Sequence, residues 1–95
     1  MSLPSLRKQI DRVDRQLLRL LNRRAALALQ VGALKQHRGL PIFDRRREAD
    51  ILRQAAAANR GPLSTRSIRA LFQEILRQHR TLEQHTHAHH RVPRS

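Results

Sequence analysis

Between Pro4 and Gly39 the chain carries one continuous helical pattern that is too long for a domain of this size to cover. Apolar residues fall at Leu6, Ile10, Val13, Leu17, Leu20, Leu27, Val31 and Leu34, three or four apart with a single gap at Arg24. Pro4 ahead of the pattern and Gly39 after His37 and Arg38 act as start and stop signals, so the spacing predicts a helix over roughly 5–38. At 1.5 Å per residue it is about 50 Å long. A compact globule of 95 residues has a radius of gyration near 12 Å and a diameter of about 32 Å. The seam therefore needs a second chain to bury it, most simply in a two-fold dimer.

The rest of the chain reads as two further helices. Gly39 to Phe43 is a short connection, and Asp44 offers a side-chain cap for a second helix running to about Asn59. Arg60, Gly61 and Pro62 end it, with Gly61 suited to the left-handed cap position. Ser64 or Thr65 caps a third helix whose inner stripe reads Ile68, Leu71, Phe72, Ile75 and Leu76, then His79, Leu82 and Glu83. From His85 on there is almost nothing to bury. We expect a helical domain over 1–84 and a disordered His- and Arg-rich tail over 85–95, an all-α chain without a strand or an internal repeat.

Composition narrows the chemistry. Cysteine is absent, which removes disulfides, thiolate metal sites and thiol nucleophiles together. No Gly-x-Ser-x-Gly elbow and no Gly-rich phosphate loop appears. With no apolar run of signal-peptide or membrane-spanning length, the chain reads as soluble and cytoplasmic. His87, His89 and His90 have metal-binding side chains, but at a flexible end they are not assigned a metal. The formal net charge of +13 rests almost wholly on arginine, since Lys8 and Lys35 are the only lysines. Arginine holds carboxylates and phosphates through a flat fork of donors, so the partner is expected to be anionic, either nucleic acid or a small dicarboxylate. Single-strand binding is disfavoured because Phe43 and Phe72 are the only aromatic platforms.

The polar residues that interrupt the apolar faces carry the sharper signal. A charge on a buried seam costs several kcal/mol unless it is paired, so Arg24 is either half of a buried ion pair, a register-setting residue, or a ligand-binding one. Lys35 lies eleven residues on, close to three turns, and projects from nearly the same face. Two cations on one stripe with few acids nearby look like an anion site. Arg7 is too far along the axis to join them within one chain, but an antiparallel two-fold pairing brings the partner's copy toward them. Arg45 and Arg46 read as a solvated first turn, whereas Arg47 and Glu48 are candidates for function because three arginines oppose the helix dipole there. His79 and Glu83, four apart, share one face of the third helix, where an ordinary local contact is the plain alternative.

Several of these residues form spaced motifs. Leu6, Arg7, Ile10, Asp11, Val13 and Asp14, then Leu20, Leu21 and Arg24, then Val31, Gly32 and Lys35, then Leu40 to Asp44 with Arg47 and Glu48, together resemble the all-helical chorismate mutase family. The resemblance covers Leu6 to Glu83. It implies three helices per chain in an intertwined homodimer with two pockets, each borrowing Arg7 from the partner. By the same resemblance Arg7 and Arg24 grip the carboxylates of chorismate, Lys35 contacts the ether oxygen and a carboxylate, and the Asp44 backbone and Glu48 hold the ring hydroxyl. Arg47 sits at the rim, and Lys35, Arg24 and Glu83 act on the rearrangement to prephenate in aromatic amino acid biosynthesis. No cofactor or metal is implied. Two positions depart from the family pattern, with His79 for the usual serine and Glu83 for the usual glutamine. The competing readings are an isochorismate pyruvate lyase of the same fold and a basic helical dimer that binds nucleic acid without catalysis. Nucleic acid is the weaker partner because it requires arginines on an exposed face, whereas Arg24 and Lys35 lie on the apolar one.

Overall fold

The computed structural model describes the backbone of residues 1–91 and the side chains of residues 1–86. It contains α1 (Leu3–His37), α2 (Arg45–Ala58) and α3 (Thr65–Arg91). Local cap chemistry sets most of the boundaries. Ser2 Oγ accepts from the Ser5 N–H at 3.2 Å, so α1 begins two residues earlier than expected, with Pro4 inside the first turn where its missing N–H costs no bond. At the far end Gly39 takes φ +66°, and the Leu40 N–H reaches the Lys35 carbonyl at 2.8 Å while the Gly39 N–H reaches that of Gln36 at 3.2 Å. This is a Schellman cap, and it needs a residue without a side chain at its left-handed position.

Asp44 Oδ1 caps α2 by accepting from the Arg47 N–H at 3.0 Å. Beyond Ala58, Asn59 is extended rather than helical. The positive φ of Gly61 therefore serves a turn closed by Asn59 Oδ1, which accepts from the Gly61 N–H, and not a cap directly on the helix. Ser64 is the cap of α3, its hydroxyl accepting from the Ser67 N–H at 3.0 Å. The third helix runs on to Arg91, seven residues past the Gln84 boundary read from the sequence. Residues 85–91 are thus helical and not irregular, since an established helix is extended at little cost per residue. The side chains of His87, His89 and His90 and the whole of 92–95 lie outside the described residues.

The helix α3 packs against both α1 and α2, which do not pack on each other. The contact with α1 uses a strip that the apolar spacing did not separate from the seam: Leu21, Ala25, Ala28 and Leu29 are half-buried and Gly32 is buried. Small residues let the two backbones approach. A Cβ at Gly32 would stand 3.2 Å from Glu83 Cγ, tighter than ordinary contact. The residues Leu6, Ile10, Val13, Leu17, Leu20, Leu27, Val31 and Leu34 are instead 38–60 % exposed within the single chain, as is Leu71 on α3. Among the described residues, none covers residues 3–20 of α1. The molecule measures 61 × 31 × 15 Å with a radius of gyration of 17.1 Å, against about 12 Å for a compact domain of this length.

Candidate active site

One cavity of about 280 Å³ opens where the C-terminal half of α1, the start of α2 and the second half of α3 converge. Seven of the eight residues singled out from the sequence line it: Arg24 and Lys35 from α1, Asp44, Arg47 and Glu48 from the cap and first turn of α2, and His79 and Glu83 from α3. Apolar walls come from Leu27, Ala28, Val31, Ile42, Ile51 and Leu76. The eighth, Arg7, is exposed and does not reach the cavity, lying seventeen residues before Arg24, about 25 Å along the helix axis. Leu27 and Val31 belong both to the cavity wall and to the exposed seam. A chain seated on the seam would therefore roof the cavity as well.

The two cations on α1 are held by neutral groups. Arg24 Nη1 donates to His79 Nδ1 at 2.6 Å, and Lys35 Nζ donates to the Ile42 carbonyl at 2.8 Å. A guanidinium has no acceptor, so Nδ1 of His79 carries no proton and the imidazole is neutral. Burial pushes the His79 pKa below its ordinary value, and the Arg24 charge lowers it further. Neither contact cancels the positive charge, which leaves Arg24 and Lys35 free to attract an anion while fixing where they point. Arg24 is accordingly not half of a buried ion pair.

On the acidic side, Asp44 is engaged as a helix cap. Glu48 is paired with Arg80, whose Nη1 donates to both carboxylate oxygens at 2.6 and 2.5 Å. Glu83 faces the cavity near Gly32. Its pKa is raised, first by burial and then by the Glu48 charge, while Lys35, Arg24 and Arg80 pull it down. Raising the pKa favours the protonated carboxyl, which is able to donate a hydrogen bond where a carboxylate is not. Arg47 lines the rim while staying exposed, and Arg45 and Arg46 are exposed and outside the cavity.

The sequence reading missed Arg80 and the Ile42 carbonyl. Arg80 was findable, because it lies four residues after Leu76 on the inner stripe of α3, and Glu48, an acid on the inner side of α2, required a counter-charge. The carbonyl was not, since a backbone acceptor leaves no mark in side-chain pattern. Among the described residues no cluster of histidine or acidic groups is arranged to hold a metal ion. Among the same residues no helix is long and apolar enough to cross a membrane.

Comparison with known proteins gives this geometry a lineage. The family model described as chorismate mutase type II matches residues 6–84. A bifunctional chorismate mutase/prephenate dehydratase of Aquifex aeolicus is 37% identical over 78 residues, covering 78% of this chain and 22% of the relative. A chorismate mutase of Methanocaldococcus jannaschii is 41% identical over 46 residues, covering 48% of this chain and 46% of the relative. The chain thus spans only about a fifth to a quarter of the first bifunctional relatives it matches. Among solved structures, form II of the chorismate mutase from Thermus thermophilus superposes with a TM-score of 0.85 at 41% identity, covering 86% of this chain and 93% of that one. Form I superposes with a TM-score of 0.80 at 42% identity, covering 81% and 96%. The three-helix architecture, the pocket at its convergence and these matches agree, and the chain belongs to the type II chorismate mutase family.

Proposed function

We propose that the chain is an isomerase that rearranges chorismate to prephenate, and that it works in the cytoplasm as a homodimer whose two pockets each take Arg7 from the partner. The observation that carries the reading is the pair of cations, Arg24 and Lys35, aimed into one cavity by neutral partners. The reaction breaks one carbon–oxygen bond and forms one carbon–carbon bond within the same molecule, so it needs no nucleophile. It needs capture of the folded conformer and relief of the negative charge that grows on the ether oxygen. Arg24 and the partner's Arg7 clamp the two carboxylates, Lys35 meets a carboxylate and the ether oxygen, and protonated Glu83 donates to that oxygen from the other side. The Asp44 backbone and Glu48 take the ring hydroxyl, and Arg47 closes the rim. His79 holds Arg24 in register.

The direct test follows the ultraviolet absorbance of chorismate with the purified chain and identifies the product. Prephenate supports the reading. Pyruvate released from isochorismate, with chorismate left untouched, would favour the lyase reaction, and no turnover of chorismate at millimolar concentration rejects the mutase.

A pH dependence follows from the two shifted groups. Activity requires Glu83 protonated and His79 neutral, and with their ordinary values of 4.5 and 6.5 those two states hardly coexist. Raising the first and lowering the second brings them together. Turnover is therefore expected to fall as pH rises through the pKa of Glu83 in the complex, and Glu83→Gln to remove that descending limb, because an amide donates at any ordinary pH. A Gln variant that keeps the same limb would show that Glu83 is not the donor.

A further inference from the structure

We propose that Arg80 is a positioning residue of this pocket: it locks the Glu48 carboxylate as an oriented acceptor for the substrate hydroxyl, leaving Glu83 as the carboxyl that donates. This rests on the mutase reading and assigns a role to a residue that the reading itself leaves unused.

The contact is built from three segments. Phe43 precedes α2, Glu48 lies in the first turn of α2, and Arg80 projects from α3. The Arg80 guanidinium stands 4.7 Å from the centroid of the Phe43 ring and donates from one nitrogen to both oxygens of Glu48. The paired side chains are only 27 % and 23 % exposed, unlike the Arg77–Glu74 and Arg53–Asp50 pairs on the helix surfaces. A solvated surface pair contributes little and wanders, but a stacked, half-buried guanidinium on a carboxylate has a defined orientation. Three arginines closer in sequence, Arg45, Arg46 and Arg47, are not its partners. Glu48 reaches across to α3 instead.

Charge gives the arrangement its purpose. Glu83 is faced by Arg24 and Lys35 from α1, by Glu48 from α2, and by His79 and Arg80 on its own helix. Three acids line the cavity, and with Asp44 engaged as the cap of α2 the other two, Glu48 and Glu83, would without Arg80 be of equal standing beside a substrate that brings two carboxylates more. With Arg80 hydrogen-bonded to Glu48 alone, the two acids become unequal. One is fixed as an oriented acceptor and the other is free to carry a proton. The Glu48 charge then favours protonation of Glu83, while the Arg80 charge opposes it.

This predicts effects in opposite senses from one substitution. Arg80→Gln should raise KM for chorismate about tenfold, the usual consequence of losing a hydrogen bond to a charged group. It should also move the descending limb of the kcat profile to higher pH, because a cation that lowers the Glu83 pKa has gone. Arg80→Lys keeps the charge but not the planar group that lies over Phe43, and should raise KM while leaving the limb where it is. Phe43→Leu, which removes only the stacking face, should raise KM by less. A purely structural role would lower stability and leave KM for chorismate in place, since the Arg80 charge acts on Glu83 whatever holds Glu48. Unchanged KM in Arg80→Gln, or an unmoved limb, overturns the proposal. If Arg80→Gln does not fold, unchanged KM in both Arg80→Lys and Phe43→Leu does the same. Carboxyl carbon NMR of Glu83 in the full chain separates this from failure of the mutase reading, because it needs no substrate: titration at higher pH in Arg80→Gln supports the proposal, and identical titration rejects it even if chorismate is not turned over.

Discussion

Alanine in place of Arg24 or of Lys35 is expected to lower turnover by about 10²–10³, the loss typical of removing one preorganised donor from a transition-state site. The expectation rests on how the two side chains are held. Each is already pointed into the cavity by a neutral acceptor, His79 Nδ1 or the Ile42 carbonyl, so neither spends conformational freedom when substrate arrives. Deleting either also strands its acceptor. That costs about 1–3 kcal/mol in a dry site and less here, where the cavity opens to water. Melting curves and kcat measured on the same preparations separate the two effects. A folded variant with near wild-type turnover would remove that residue from the machinery. Arg24→Lys should recover little, because a point charge on a flexible stem does not reproduce the fork that bonds His79 and a carboxylate together.

The second large effect is intermolecular. Arg7→Ala and Arg24→Ala chains are each expected to be nearly inactive alone and to regain about a quarter of wild-type activity when mixed in equal amounts and allowed to exchange. Random pairing makes half of the dimers mixed, and in each of these one pocket has its own Arg24 and a partner's Arg7 while the other has neither. The structural motive is the seam from Leu6 to Leu34, exposed along its length in one chain and continuous with the open side of the cavity through Leu27 and Val31. With a pocket completed by association, as proposed, activity per chain should fall on dilution and the melting temperature should rise with protein concentration. A monomer by sedimentation that remains fully active, or exchange without rescue, contradicts the shared pocket.

How much of this was legible in the sequence depends on whether the signal was local. Cap residues such as Asp44, Ser64 and Gly39 act on backbone groups within a few positions, and the structure puts helix ends at or beside them. Interruptions of an apolar face were equally legible, and Arg24, Lys35, His79 and Glu83 converge on one cavity. The strip of α1 that meets α3 was not. Leu21, Ala25, Ala28 and Gly32 sit beside a stronger leucine seam, and small residues carry almost no polarity contrast, so one helix with two apolar faces read as a helix with one. Arg80 was missed for a different reason. Its place four residues after Leu76 on the inner stripe marks it, but in a chain with this many arginines that mark is easily passed over.

The six residues that follow His37 invert a common expectation about where a protein absorbs changes of length. Exposed connections between helices ordinarily accept insertions, because little depends on their path. Here Lys35 is tied to the connection at both ends, its carbonyl accepting from the Leu40 N–H and its ammonium donating to the Ile42 carbonyl, while Asp44 at the exit starts the helix that carries Arg47 and Glu48. An extra residue after Leu40 would shift a cation and the opposite wall of the cavity together. The connection from Asn59 to Ser64 contributes nothing to the cavity, and Asn59 bonds only Gly61 and Leu63 within it. Two residues inserted after Gly61 should leave turnover near wild type, whereas the same two after Leu40 should abolish it, so that tolerated variation in length belongs at the second turn and the first is held at one length by its lysine.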